Sequence, residues 1–186
     1  MKKLALLSIF ILFVFSACSL IGETSPSTML PPSPEPELTT TELVYKECTQ
    51  TDPMLAMWAS QIASANTLSI TALEAALDLY TNPRETGLEE SEDLFQQTIE
   101  AYVGMQSIQP IPSCMKNYHN LVTDILGELS ECFKNLAKVY KAIDAGGDFS
   151  ESLTTANQHL NNALQLSEES VAEWECIQNN LEAPSD

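Results

Sequence analysis

Four apolar stripes at helical spacing, separated by proline and glycine, constrain the fold more than any other feature of this chain. In each stripe apolar residues recur three and four positions apart, which places them on one face of a helix. No proline lies inside a stripe, and no strand-like alternation competes with this spacing. The pattern predicts an all-α fold. The stripes are Leu55, Trp58, Ile62, Ala65, Ala72, Ala76 and Leu79; Leu88, Phe95, Ile99, Tyr102 and Met105; Tyr118, Val122, Ile125, Leu129, Cys132, Leu136, Val139 and Ile143; and Phe149, Leu153, Ala156, Leu160, Ala163, Val171, Trp174 and Leu181.

The breaks between the stripes predict where the helices begin and end. Asp52-Pro53 offers an N-cap followed by a proline at the first helical position. Asn82-Pro83, Pro110-Ile111-Pro112 and Gly146-Gly147 then interrupt the periodic segments. Short connections favour antiparallel neighbours, so we predict an up-down-up-down four-helix bundle over residues 51–182.

The N-terminal segment has the proportions of an export signal. Lys2 and Lys3 precede an apolar run at positions 4–15 that only Ser8 interrupts. A membrane-spanning helix needs about 20 apolar residues, whereas the apolar core of a signal peptide needs about 7–15. The alternative is an uncleaved anchor that continues through Leu20 and Ile21.

The stretch Phe15-Ser16-Ala17-Cys18 resembles the lipobox of bacterial lipoproteins, and the resemblance covers residues 1 to about 19. In that family the cysteine sulfur receives a diacyl group, whose fatty acids include palmitate, and the cysteine becomes the mature N-terminus. The resemblance implies a signal peptide at residues 1–17, lipid on Cys18 and an extracytoplasmic protein anchored to a membrane. Ser19 implies no retention at the inner membrane, and therefore the outer membrane where the cell has one.

The composition of residues 18–50 predicts a tether between the lipid and the bundle. Five of the ten prolines fall between residues 19 and 40, among Ser, Thr and Glu. Proline favours an extended chain and removes backbone donors, so this composition predicts a semi-rigid spacer. The alternative is a proline-rich ligand for a partner, centred on Pro31-Pro32-Ser33-Pro34.

The four cysteines after Cys18 predict disulfide bonds in an exported chain. If the third and fourth helices are antiparallel, Cys114 lies level with Cys176, and we predict a bond between them. Cys132 lies 18 residues beyond Cys114, about 27 Å along one helix, which excludes that pair. Elimination leaves Cys48–Cys132, and the alternative is that Cys132 is a buried thiol on its apolar stripe.

Charge and motifs narrow the class of function. The chain carries 26 acidic and 8 basic residues, a net charge of −18, which disfavours nucleic acid and anionic lipid surfaces as partners. Neither His119 nor His159 has the glutamate three residues earlier that di-iron bundles use. The sequence also lacks Cys-x-x-Cys-His and the common catalytic motifs. We therefore expect no metal, no cofactor and no enzymatic activity.

The sequence leaves two hypotheses for function. The first is a lipid-anchored binding or scaffolding module at the cell envelope, with an envelope protein as partner. The second is a carrier or sensor of a small ligand in the bundle core. The aromatic side chains that would line such a ligand site are Trp58, Tyr102, Tyr118 and Trp174.

Overall fold

The structure is a computed structural model that describes the backbone of residues 53–182 and the side chains of residues 53–179. The helices are α1 (Pro53–Thr81), α2 (Gly87–Ser107), α3 (Lys116–Asp144) and α4 (Ser150–Glu182), with a 3₁₀ turn at Ser113–Met115. Within this part of the chain there is no strand, and the four helices pack against one another. The all-α prediction and the helical bundle are confirmed, whereas the up-down-up-down order of helix directions stays a prediction.

Helix α3 is the centre of the bundle because its apolar stripe is the widest. It packs extensively on α2 and α4, whereas α1 makes its least extensive contact with α4. Leu126, Leu129 and Phe133 on α3 are completely buried. A helix that buries so much of its surface needs neighbours on several sides, and the other three helices provide them.

The end of α3 shows how local sequence sets a helix boundary. Gly146 has a φ of +66°, a left-handed conformation that glycine adopts at little cost. Its N–H donates to the Ile143 carbonyl at 3.0 Å, and the Gly147 N–H donates to the Ala142 carbonyl at 2.8 Å. These bonds satisfy carbonyls that the helix end leaves without partners. The predicted stop at Gly146-Gly147 is confirmed.

The core divides into two clusters of buried residues, which we name the aromatic end and the aliphatic end. The aromatic end comprises Trp58, Ile62, Ala65, Met105, Cys114, Met115, Tyr118, Val122, Leu126 and Ile177. The aliphatic end comprises Ala72, Ala76, Leu79, Ile125, Leu129, Cys132, Phe133, Leu136, Tyr140, Ala156, Leu160 and Ala163.

Small residues close the aliphatic end. Ala76 on α1 and Ala163 on α4 are completely buried, so these helices bring their backbones close to the bulky side chains of α3. Gly87, the first residue of α2, faces the Tyr140 ring so closely that an added Cβ would overlap it. The Tyr140 hydroxyl donates to the Leu79 carbonyl at 3.1 Å, which fixes the ring in this position.

Both predicted disulfide bonds are wrong. Cys132 is a free thiol with no exposed surface, and burial raises its pKa to about 12. It is enclosed by the aliphatic end, which supports the alternative of a buried apolar thiol and overturns the Cys48–Cys132 bond; Cys48 lies outside the described residues. Cys114 packs at the aromatic end and is disulfide-bonded, but Cys176, which packs there too, is not its partner. Helix α4 turns Ile177 into the core and leaves Cys176 only half-buried.

The predicted signal peptide, the lipidation site at Cys18 and the tether at residues 18–50 lie outside the described residues. They stay predictions. Among the helices that the structure describes, none combines the length and the apolar character that crossing a membrane requires.

Candidate functional site: a groove between α1 and α4

A groove of about 460 Å³ lies between α1 and α4 at the aromatic end. It exists because α1 presents small side chains there, among them Ala59 and Ala63, and these do not fill the space in front of α4. The larger residues that line it are Trp58, Ile62, Asn66, Ile70, Tyr118, Ile125, Val171 and Trp174. The groove is therefore a surface cleft with an apolar lining, in contrast to the closed aliphatic end.

Three aromatic rings from three different helices form one wall of the groove. Tyr118 on α3 lies between Trp58 on α1 and Trp174 on α4. Its ring centroid is 6.3 Å from that of Trp58, at an interplanar angle of 70°, and 5.2 Å from that of Trp174, at 45°. Edge-to-face and tilted contacts of this kind stabilise aromatic clusters beyond the area they bury. The wall is held in place by contacts among its own rings.

The polar atoms of the two buried rings are satisfied inside the protein. The Trp58 Nε1–H donates to Nδ1 of His119 at 3.3 Å, and the Tyr118 hydroxyl donates to Oδ1 of Asn66 at 3.0 Å. Burial lowers the pKa of His119, an effect that a hydrogen bond with the Met105 backbone partly offsets. A neutral His119 leaves Nδ1 able to accept the tryptophan proton.

The groove keeps large apolar side chains in water. Trp174 is 38% exposed, Val171 is 55% exposed and Ile70 is 56% exposed, and all three line the groove. Single exposed apolar residues are ordinary, but apolar residues grouped around a cleft mark an interaction surface. The groove therefore offers a binding partner apolar area that the folded chain leaves uncovered.

The charged residues that α1 and α4 place beside the groove have a single sign. Neither α1 nor α4 contains a lysine or an arginine. Glu74 follows Ile70 by one helical turn, while Glu168 and Glu175 directly follow the groove residues Ser167 and Trp174. The basic residues between 53 and 179 all lie on other elements: Arg84, Lys116, Lys134, Lys138 and Lys141. The rim of the groove is therefore acidic.

The structure brings together three of the four aromatic residues that the sequence indicated. Trp58, Tyr118 and Trp174 share the groove, and Tyr102 does not. The Tyr102 ring lies against α3, where a Cβ added at Gly127 would be 3.2 Å away from it. Tyr102 therefore does not line this groove, and its part in ligand binding stays a prediction.

Asn66 and Ile70 are among the groove residues that sequence reasoning missed. Asn66 directly follows the core residue Ala65. Ile70 does not lie on the apolar stripe of α1, which continues at Ala72. An isoleucine off the core face was a usable signal, because it indicates apolar surface that the bundle does not bury. Nothing in the sequence indicated the bond between Asn66 and Tyr118.

Polar clusters elsewhere are small. His159 Nδ1 lies 2.7 Å from Oε2 of Glu128, and Asn162 donates to the same oxygen at 3.2 Å. In the described part of the chain, no group of three His, Cys, Asp or Glu side chains is placed to hold a metal ion. The groove, by contrast, combines an apolar lining with a cluster of aromatic rings.

Comparison with protein-family models, with curated proteins and with solved structures finds no match for this chain. A functional assignment therefore has to come from the chemistry of the groove and from the sequence pattern of the N-terminus.

Proposed function

We propose that this protein is a non-enzymatic binding module of the bacterial envelope, anchored by lipid on Cys18, and that it binds a partner protein in the groove between α1 and α4. The observation that carries the proposal is the exposure of Ile70, Val171 and Trp174 around one apolar cleft. Covering such side chains with a partner's apolar surface is favourable at about 25 cal/mol per Å² removed from water. Aromatic residues of this kind often dominate binding energy at protein interfaces.

A protein partner suits the groove because the exposed apolar residues of the groove lie on its rim. A ligand small enough to sit on the floor would leave Ile70 and Val171 in water, whereas a protein segment lying along the groove would cover both. The second candidate is a carrier or sensor of a small apolar ligand. The volume of about 460 Å³ favours it, since small-molecule sites commonly span about 300–1,000 Å³.

Photocrosslinking in cells tests the protein partner. A photoreactive amino acid placed at Ala63, an exposed groove position, should form a crosslink to one envelope protein. The purified partner should then bind Val171→Asn about tenfold more weakly than the unaltered chain. Val103→Asn is the matched control, because Val103 is 57% exposed and lies on α2, outside the groove.

Two results would contradict a protein partner. Equal affinity of the purified partner for the Val171→Asn and unaltered chains would place its binding elsewhere. Native mass spectrometry could instead find a bound small molecule that the Val103→Asn protein retains and the Val171→Asn protein loses. That result would support the carrier.

The lipid anchor is supported by the signal-like residues 1–17 and the small pair before Cys18. Residues 18–50 would then hold the binding domain away from the membrane surface. Metabolic labelling with an alkyne-tagged fatty acid tests this, because Cys18→Ser should abolish the label. Unchanged labelling and unchanged membrane attachment of the Cys18→Ser protein would contradict the anchor.

A further inference from the structure

We infer that the occupant of the groove is a cationic amphipathic helix of about three turns, presented by a partner protein. This inference rests on the proposed function and adds the chemistry of the partner. Three features favour such an occupant: the charge around the groove, the poor fit of other occupants, and the length of the cleft.

The charge around the groove selects a cationic occupant. With no lysine or arginine on α1 or α4, nothing on these helices neutralises Glu74, Glu168 and Glu175. Glu168 and Glu175 are seven residues apart and so lie on the same side of α4, next to Ser167 and Trp174 of the groove. Basic residues flanking an apolar stripe would meet carboxylates on both sides of the cleft. Complementary charge of this kind speeds encounter and excludes partners of the wrong sign.

The chain itself is a poor occupant of its own groove. Residues 18–52 contain a single basic residue, Lys46, against six acidic ones. A second copy of the chain would bring another acidic rim to the first, and an anionic lipid surface would be repelled in the same way. The acidic residues between 18 and 52 are Glu23, Glu35, Glu37, Glu42, Glu47 and Asp52.

The dimensions of the cleft set the length of the occupant. On α1 the lining runs from Trp58 to Ile70, a separation of 12 residues or about 18 Å along the helix. A helix of about 12 residues spans the same length, and its apolar side chains at i, i+3, i+4 and i+7 form one continuous stripe. The partly exposed Trp174 ring also offers its face to a lysine or arginine beside that stripe.

Two peptides with the same leucine stripe test the inference, one with lysine and one with glutamate at the polar positions. The full lipidated chain is held in phosphatidylcholine nanodiscs, and binding to empty nanodiscs is subtracted. We expect the lysine peptide to bind at least about tenfold more tightly at low salt, with the difference shrinking as salt screens the charges. Val171→Asn should weaken binding of the lysine peptide about tenfold, and Val103→Asn should leave it unchanged.

Matched charge variants distinguish the effect of the rim carboxylates on binding from the effect of the chain's overall negative charge. Neutralising the rim with Glu74→Gln, Glu168→Gln and Glu175→Gln should weaken lysine-peptide binding about three- to tenfold at low salt. The control triple alters the net charge equally at exposed positions outside the groove and should have little effect; it consists of Glu85→Gln, Glu89→Gln and Asp144→Asn.

The outcomes distinguish this inference from the proposed function. Equal binding of both peptides, with both weakened by Val171→Asn, would overturn the cationic partner and leave the groove as a binding site. An equal effect of the two charge triples, or no binding of either peptide, would also overturn it. The proposed function fails separately, if the partner crosslinked in cells binds the Val171→Asn protein as well as the unaltered chain.

Discussion

The two ends of the bundle use the same four helices and differ in how their side chains meet. At the aliphatic end, completely buried alanines such as Ala76 and Ala163 let α1 and α4 approach the leucines and Phe133 of α3. At the aromatic end, Ala59 and Ala63 of α1 do not fill the space in front of α4, and a groove lined by Trp58, Tyr118 and Trp174 remains between the two helices. Small residues close the bundle where large side chains pack against them, as at Ala76, and leave a groove where none do, as at Ala59 and Ala63.

The two ends also differ in their polar chemistry. The aromatic end contains the buried bonds Trp58–His119 and Tyr118–Asn66, which depend on specific partners. The aliphatic end depends mainly on apolar contact, with the Tyr140–Leu79 bond at its edge. We therefore expect the aliphatic end to provide most of the stability and the aromatic end to provide the binding surface.

The largest expected effect on stability is at the aliphatic end. Phe133→Ala should lower the free energy of unfolding by about 3–5 kcal/mol, because it leaves a cavity among tightly packed neighbours. Urea denaturation followed by circular dichroism measures the change. Trp174→Ala, which truncates a partly exposed ring at the groove, should cost clearly less. Equal losses for the two variants would contradict the division of roles between the ends.

A second change tests the polar bond at the aromatic end. Trp58→Phe removes the N–H that His119 accepts and leaves a buried acceptor without its donor, so we expect a loss of about 1–3 kcal/mol. Thermal unfolding measures it. If the double variant Trp58→Phe with His119→Phe is no more stable than the sum of the two single variants predicts, the bond contributes little.

A pair of glycines on α2 tests how tightly the aliphatic end is closed. Gly87→Ala should destabilise the protein by about 1–3 kcal/mol, since its Cβ would displace the Tyr140 ring. Gly104→Ala should instead stabilise it by about 0.5–1 kcal/mol, because nothing lies within 4 Å of the added Cβ and alanine favours the helix. Stabilisation by Gly87→Ala, as by Gly104→Ala, would mean that the contact between Gly87 and Tyr140 is loose.

The smallest expected effect is a pH dependence at the aromatic end. Because burial lowers the pKa of His119, the unfolded chain binds its proton more readily than the folded chain does. The stability that buried, neutral His119 contributes is therefore present at neutral pH and is lost as the pH falls below about 6.5. Urea denaturation between pH 7 and pH 5 should show a steeper loss for the unaltered protein than for His119→Gln. Parallel pH profiles would contradict a lowered pKa.

Much of the bundle could be predicted from sequence because its evidence is periodic. Trp58, Leu129 and Leu160 lie on stripes that the sequence shows directly, and proline or glycine marks the breaks between them. The groove could not be predicted in the same way, because it depends on how far apart two helices lie across a third. The Cys114–Cys176 prediction failed for a related reason: the axial level of two residues along α3 and α4 does not fix which cysteine Cys114 is bonded to.

Fluorine NMR of the two tryptophans shows directly whether the groove is the binding site. The full chain is labelled with 5-fluorotryptophan, the two signals are assigned with Trp58→Phe and Trp174→Phe, and the lysine peptide is titrated in. We expect a saturable shift of the Trp174 signal with little change at the buried Trp58. Saturable peptide binding that leaves the Trp174 signal unmoved would contradict the groove as the binding site.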